Sequence, residues 1–158
     1  MDDEQYQQIL NSVKSLCAKS EKCAGDIYKK NKKWQLPGNK LEEMIETLKE
    51  EGFIDHKRYT HAFVNDKLRF NHWGKNKIKY SLINKQIDEQ FIDEALEAID
   101  EQLYSQILKK ETDKKLKSLR DQDKYDIKNK TAQYLVQKGF EYGKVFEFIE
   151  KRMRNNDY

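Results

Sequence analysis

One proline and six glycines in 158 residues leave few places where the backbone must turn sharply. Such scarcity favours helices joined by short turns. Only two cysteines occur, Cys17 and Cys23, outside any Cys-x-x-Cys pattern. With no cationic start leading into an apolar segment, nothing suggests export, so both are expected to be reduced thiols. No apolar run approaches the roughly 20 residues of a membrane-spanning helix, and the expectation is a cytosolic protein. Gly74-Lys75-Asn76-Lys77 lacks the glycine spacing and Lys-Ser/Thr ending of a phosphate-binding loop. His56 and His61 fall on different faces of a helix and His72 lies near a loop, which is not a metal-ligand pattern. No Ser-His-Asp or Cys-His set can be assembled. The expectation is a non-enzyme with no cofactor and no metal.

What the chain does contain is charge and aromatic rings. Apolar residues make up 37%, charged residues another 37% and aromatics 11%, with a mean hydropathy of −1.07. That is too polar for one thick core and too aromatic for disorder, so small units with thin cores fit best. The net charge of +3 is modest, but its distribution is uneven. Between 56 and 85 stand Lys57, Arg58, Lys67, Arg69, Lys75, Lys77, Lys79 and Lys85 against Asp66 alone. Asp88, Glu89, Asp93, Glu94, Glu97, Asp100 and Glu101 follow without a cation between them. This separation reads either as a field with two poles or as two solvated helix faces.

Apolar periodicity predicts nine helices. The first, about 4–19, carries Ile9, Val13, Leu16 and Cys17 on one stripe. Ser20 is the expected N-cap of the second, with Cys23, Ile27 and Trp34 inward. After the turn at 36–39 the third presents Leu41, Met44, Ile45 and Leu48, and Gly52 stops it. Asp55 caps the fourth, Ile54 and Tyr59 make a hydrophobic staple, and Tyr59, Ala62, Phe63, Asp66 and Phe70 share a face. Asp66 is the anomaly there, a carboxylate on an apolar stripe. Gly74 is expected to permit the turn into the fifth helix, with Ile78, Leu82 and Ile83 inward; Asp88 caps the sixth, with Ile92, Ala95, Leu96 and Ile99. The seventh, 102–120, holds Leu103, Ile107, Leu108, Leu116 and Leu119, and the eighth, 125–138, Ile127, Thr131, Tyr134 and Leu135. Gly139 ends it; the ninth carries Val145, Phe146, Phe148 and Ile149, and the tail RNNDY is expected to fray.

Three junctions superimpose. From Leu36, Ile87 and Phe140 as zero, apolar residues recur at +5 (Leu41, Ile92, Val145), +8 (Met44, Ala95, Phe148) and +9 (Ile45, Leu96, Ile149). The zero and +5 positions are N′ and N4 of a staple, which gives the repeat a physical cause. The expected fold is all-α: an elongated, curved array of three tandem three-helix repeats, 1–52, 53–100 and 101–158.

GFIDHKRYTHAFV followed by WGKNKIKYSLINKQI resembles the central repeat of the RecX family, regulators of the RecA recombinase. The likeness rests on Gly52, Phe53, Ile54, Asp55, Arg58, Tyr59, Phe63, Val64, Gly74, Ile78, Leu82 and Lys85, and YLVQKGFEYGKVFEFI is similar to the closing repeat. His56 stands where the family usually has an acid, Thr60 where a small residue is common, and Gln86 where glycine is frequent. The resemblance implies a monomeric helical array lying in the groove of a RecA filament on single-stranded DNA. It also implies mainly inhibition of recombination, repair and SOS activities, without enzymatic activity of its own.

Cations beside aromatics are the candidate contacts, since they can meet phosphates and stack on bases or meet acids in a protein groove. The central set is Arg58, Lys67, Arg69, Trp73, Lys75, Lys77 and Lys79, with Lys75, Lys77 and Lys79 placed on one outward side. Trp73 also pairs with Ile78 as a staple, which would bury it. Lys29, Lys30, Lys32 and Lys33 form a second cluster, and Lys114, Lys115 and Lys117 lie in a third. The alternatives are a sequence-independent nucleic-acid binder with weak direct affinity, or a protein-interaction scaffold using the acidic helix 88–101, each acting without RecA.

Overall fold

The computed structural model describes residues 2–156, and among them nine helices and no strand. They form three consecutive triplets: α1 (Asp3–Lys19), α2 (Ala24–Trp34) and α3 (Gly38–Glu50); α4 (His56–Arg69), α5 (Lys75–Asn84) and α6 (Glu89–Glu97); α7 (Glu101–Ser118), α8 (Lys124–Gln137) and α9 (Tyr142–Asn156). Asp2, Asp55, Asp88 and Asp100 start α1, α4, α6 and α7 by accepting first-turn amides. The third helix of each triplet begins as the repeat requires. Leu36 and Leu41, Ile87 and Ile92, and Phe140 and Val145 are buried pairs, each within a single cluster. Gln35, Gln86 and Gly139, just before these anchors, all adopt positive φ. The triplets are thus copies of one chain path.

Two main cores result. The first triplet closes around Leu10, Val13, Ile27, Met44, Ile45 and Leu48. The second and third share one core, from Val64, Leu68, Ile78 and Leu82 to Leu108, Leu135, Phe140 and Ile149.

Several details differ from the periodicity reading. Ser20 ends α1, its amide bonding to Leu16, and α2 starts at Cys23, whose amide donates to the Asp26 carboxylate at 3.1 Å. On α1 it is Leu10 and Val13 that are buried. On α4 the buried stripe is Tyr59, Thr60, Val64 and Leu68, whereas Asp66 is exposed and Phe70 is 80% exposed. The anomaly of a carboxylate on an apolar face therefore dissolves. Ile54 and Tyr59 are both buried but in different clusters, Ile54 sealing the first core, so they do not staple each other. Ile83 points outward. α9 runs through Asn156, into the stretch expected to fray, whose last two residues lie outside those described.

The triplets join end to end through their second helices. The first amides of α5 lack intrahelical acceptors. Gly74 donates to the Lys138 carbonyl at 2.8 Å and Asn76 to the Gly139 carbonyl at 2.9 Å, at the C-terminal end of α8. The positive end of one helix dipole meets the negative end of the other. Glycine is needed at Gly74 for this approach rather than for a turn, since its φ is −78°. A Cβ there would lie 2.3 Å from the Gly139 carbonyl carbon, and one on Gly139 would lie 2.4 Å from the Lys77 Cβ. The earlier joint repeats the plan with side chains. The N-terminal end of α2 faces the last turn of α5, where Asp26 pairs with Lys85 at 3.2 Å and Gly25 abuts the Lys85 carbonyl. Cys23, fully buried, enters the core of the second triplet.

Candidate partner-binding surface

Most cations of the central stretch are engaged within the chain. α5 packs beside the acidic α6, so Lys79 sits 3.7 Å from Glu89 and 3.6 Å from Asp93. Lys75 pairs with Glu101 at 3.0 Å and covers the Tyr104 ring, Lys57 approaches Glu94 at 3.9 Å, and Arg58 grips Glu21 at 2.6 Å and the Gly52 carbonyl at 3.0 Å. The two poles of the sequence largely neutralise each other across neighbouring helices. Such exposed pairs contribute little stability, but they commit their cations. Lys75, Lys77 and Lys79 accordingly diverge to three sets of neighbours.

Lys67, Arg69 and Lys77 have no ion pair among the described residues. Lys67 and Lys77 stand over the half-buried Trp73 ring, at 4.9 and 4.5 Å, and Lys67 also covers Phe63 at 5.5 Å. Trp73 packs against the shared core, as its staple position requires. Arg69, the last residue of α4, and Phe70, its C-cap, are exposed where the chain turns toward α5.

That turn is held firmly. Trp73 donates its amide to the Lys67 carbonyl at 3.0 Å while His72 takes φ 55°, and Lys138 Nζ donates to the Asn71 carbonyl at 3.0 Å. Beneath it lies Glu111, 2% exposed, receiving Lys138 Nζ at 2.7 Å and the Tyr134 hydroxyl at 3.1 Å, with His72 Nδ1 at 3.7 Å. Burial alone would raise the Glu111 pKa; Lys138 and Tyr134 outweigh it and hold the carboxyl below its usual range. A buried, fully partnered carboxylate thus supports the platform that carries Phe70 and Trp73.

In the first triplet Lys29, Lys30, Lys32 and Lys33 line a groove of about 570 Å³ with Lys19, Ser12, Ser15, Leu16 and Trp34. No acid lines it. On α7, Lys114 and Lys117 are exposed, and Lys115 covers the Tyr134 ring at 5.0 Å. The candidate cations therefore fall into separate places: the Trp73 platform, the α1–α2 groove and α7. Sequence reasoning missed Phe70, which it placed inward, and Glu111, Tyr104 and Lys138. The spacing of Tyr104, Ile107, Leu108, Glu111 and Thr112 on one helical face was the available signal.

The model of the RecX second three-helix domain matches residues 55–96, and that of the third three-helix domain matches 101–149. The chain belongs to the RecX family. Regulatory protein RecX of Clostridium tetani is 31% identical over 152 residues, covering 95% of this chain and 69% of that protein. Regulatory protein RecX of Clostridium botulinum strain Eklund 17B is 36% identical over 113 residues, covering 70% of this chain and 52% of that protein. Among solved structures, a crystal structure of regulatory protein RecX superposes with a TM-score of 0.81 at 26% identity over 94% of this chain and 70% of its own. RecX from Lactobacillus salivarius gives 0.80 at 19% identity, over 96% and 97%, and supports the fold alone. The RecX models match both triplets whose helices meet at the Trp73 platform. No helix among the described residues is long and apolar enough to cross a membrane.

Proposed function

We propose that this chain regulates RecA, chiefly as an inhibitor, by lying in the groove of the RecA filament on single-stranded DNA, and so modulates recombination, repair and SOS activities. It acts as a cytoplasmic monomer of three units, 1–52, 53–100 and 101–158. Membership of the RecX family supports the regulatory role. The observation that carries the contact surface is the set of cations around Trp73 without an ion pair among the described residues, Lys67 and Lys77, which flank with Arg69 a turn braced by the third unit. A partner offers acids or phosphates to these cations without first breaking an internal ion pair. Lys75, Lys79 and Arg58 would have to give up Glu101, Glu89, Asp93 and Glu21.

DNA-dependent ATP hydrolysis and strand exchange by the cognate RecA test the reading. The intact protein is expected to suppress both. Replacing Lys67, Arg69 and Lys77 together by Glu should abolish suppression, while reversing Lys79 alone should weaken it little. Unchanged hydrolysis and exchange at saturating intact protein would sink the proposal.

A second reading, direct sequence-independent nucleic-acid binding, is favoured by the lysine-lined groove between α1 and α2. Affinity for naked single-stranded DNA should then fall with salt. Substituting Lys29, Lys30, Lys32 and Lys33 should flatten that dependence by roughly 0.7 log units per lost phosphate contact. A slope unaffected by these changes rules this reading out.

A further inference from the structure

The first amide of each connecting helix needs an acceptor, and both joints draw it from the same place, a side chain on the first helix of the following unit. At the later joint Lys75 donates to the Tyr104 hydroxyl at 3.0 Å. At the earlier one Ala24 donates to His56 Nε2, also at 3.0 Å. The two acceptors differ in one property. A phenol keeps its hydroxyl through the physiological range, the more so here because burial and the Glu141 hydrogen bond push the Tyr104 pKa upward. An imidazole nitrogen accepts only while neutral, and ordinary histidine titrates near 6.5.

His56 is half-buried at the joint. It occupies the first position of α4, and the start of α2 points at it, so the positive ends of two helix dipoles converge on one ring. The charged groups around it are Asp55, the N-cap of its own helix, Lys49 from α3 and Asp26 from α2, the last engaged by the Cys23 amide and by Lys85, the C-cap of α5. Burial first, then Lys49, lower the imidazole pKa from its ordinary value against the opposing pull of Asp55 and Asp26.

We propose that the joint between the first and second units is a pH-responsive hinge, latched while His56 Nε2 accepts the Ala24 amide and released when that nitrogen is protonated. A proton on Nε2 turns the acceptor into a donor facing another donor, beside two helix N-termini. The latch holds down Cys23, a first-unit residue with no exposure that plugs the core of the second unit. The folded protein binds this proton less readily than the unfolded chain. Its stabilisation is therefore complete above about pH 6.5 and lost as pH falls below that toward the depressed folded value. The inference rests on the fold and needs no RecA, so it stands or falls separately from the filament reading.

The test uses the whole chain carrying Cys17→Ser, leaving Cys23 as its thiol. Labelling of Cys23 by an aromatic disulfide reagent is followed between about pH 5.5 and 7.5 and divided by the rate of a free thiol at each pH. The normalised rate should rise toward the acid end, by up to about tenfold at about pH 5.5, one unit below the ordinary histidine value. His56→Gln, whose amide oxygen accepts at every pH, should be flat. In the unsubstituted protein, hydrogen exchange at Ala24 should lose protection over the same range while Lys75, capped by Tyr104, keeps it. Parallel labelling profiles in the two proteins, or Ala24 and Lys75 amides that respond alike, would overturn the proposal.

Discussion

Gly74→Ala is the sharpest perturbation available, because the atom it adds has no empty space to enter. Its Cβ would lie 2.3 Å from the Gly139 carbonyl carbon and the Phe140 nitrogen and 2.4 Å from the Gly139 oxygen, all backbone atoms that cannot rotate away. The end of α8 must retreat, breaking the bonds from Gly74 to Lys138 and from Asn76 to Gly139. Each broken pair costs about 1 kcal/mol net, and more where a buried group is left without water. Retreat also loosens Phe140 and Ile78, both at or below 1% exposure. The expected loss is about 3 kcal/mol, built from the two bonds and partial core exposure. Urea unfolding followed by the fluorescence of Trp34 and Trp73 and by circular dichroism should show the midpoint falling by about 1.5 M, for a denaturant slope of about 2 kcal/mol per M. Gly143→Ala is the control: nothing lies within 4 Å of its Cβ, and it sits in α9. It should gain up to about 1 kcal/mol from helix propensity. A Gly74→Ala protein within about 0.5 kcal/mol of the parent would refute the close backbone approach and the end-to-end joint with it.

The same structure makes further predictions. Glu111→Gln should cost about 3 kcal/mol at neutral pH by leaving Lys138 without its buried partner. Because the folded Glu111 pKa is depressed, its stabilisation is present above the ordinary carboxyl value and lost as pH falls below it, so the variant should have a shallower acid limb in urea midpoint against pH. Gln86→Gly should raise the melting temperature, relieving up to about 1 kcal/mol from a side chain held at φ 60°; an unchanged or lower value would argue against that conformation. Phe70→Ala should leave the urea midpoint unchanged, its ring being 80% exposed, whereas Leu68→Ala, at 1%, should cost about 3 kcal/mol.

How far the sequence was legible depended on whether a feature was local. The staples at Leu36–Leu41, Ile87–Ile92 and Phe140–Val145 lie five residues apart, and periodicity alone revealed both them and the triplication. The expectation of a carboxylate on an apolar stripe failed at Asp66, which is exposed. α4 carries apolar residues around half its circumference, so Tyr59, Phe63 and Phe70 suggested one face, whereas the buried stripe runs from Tyr59 through Thr60 to Val64 and Leu68 and leaves Phe70 outside. The buried carboxylate, Glu111, was not anticipated, and it is legible only once Tyr134 of α8 and Lys138 at its end are known to reach it. Charge clusters misled for a related reason. Lys75 and Lys79 look free in a linear reading, and only the packing of α5 beside α6 and α7 shows which acids claim them. Gly74 was read as a turn glycine; its partner Gly139 lies in a different unit.

The bonds that finish α5 are made with residues the ribosome has not yet translated when α5 emerges. Lys138, which supplies one acceptor carbonyl and also clamps Asn71, stands 67 positions beyond that asparagine. At about 5–20 residues per second, that interval is roughly 3–13 s of synthesis. During it the Gly74 and Asn76 amides remain uncapped and the Ile78–Leu82 face lacks Phe140 and Leu135. The core of the first unit needs only Ile54 and the start of α2 only His56, a few positions beyond the unit's own end. The second unit waits for the third, and nascent chains stalled before α8 should expose apolar surface to chaperones that chains stalled after α9 do not.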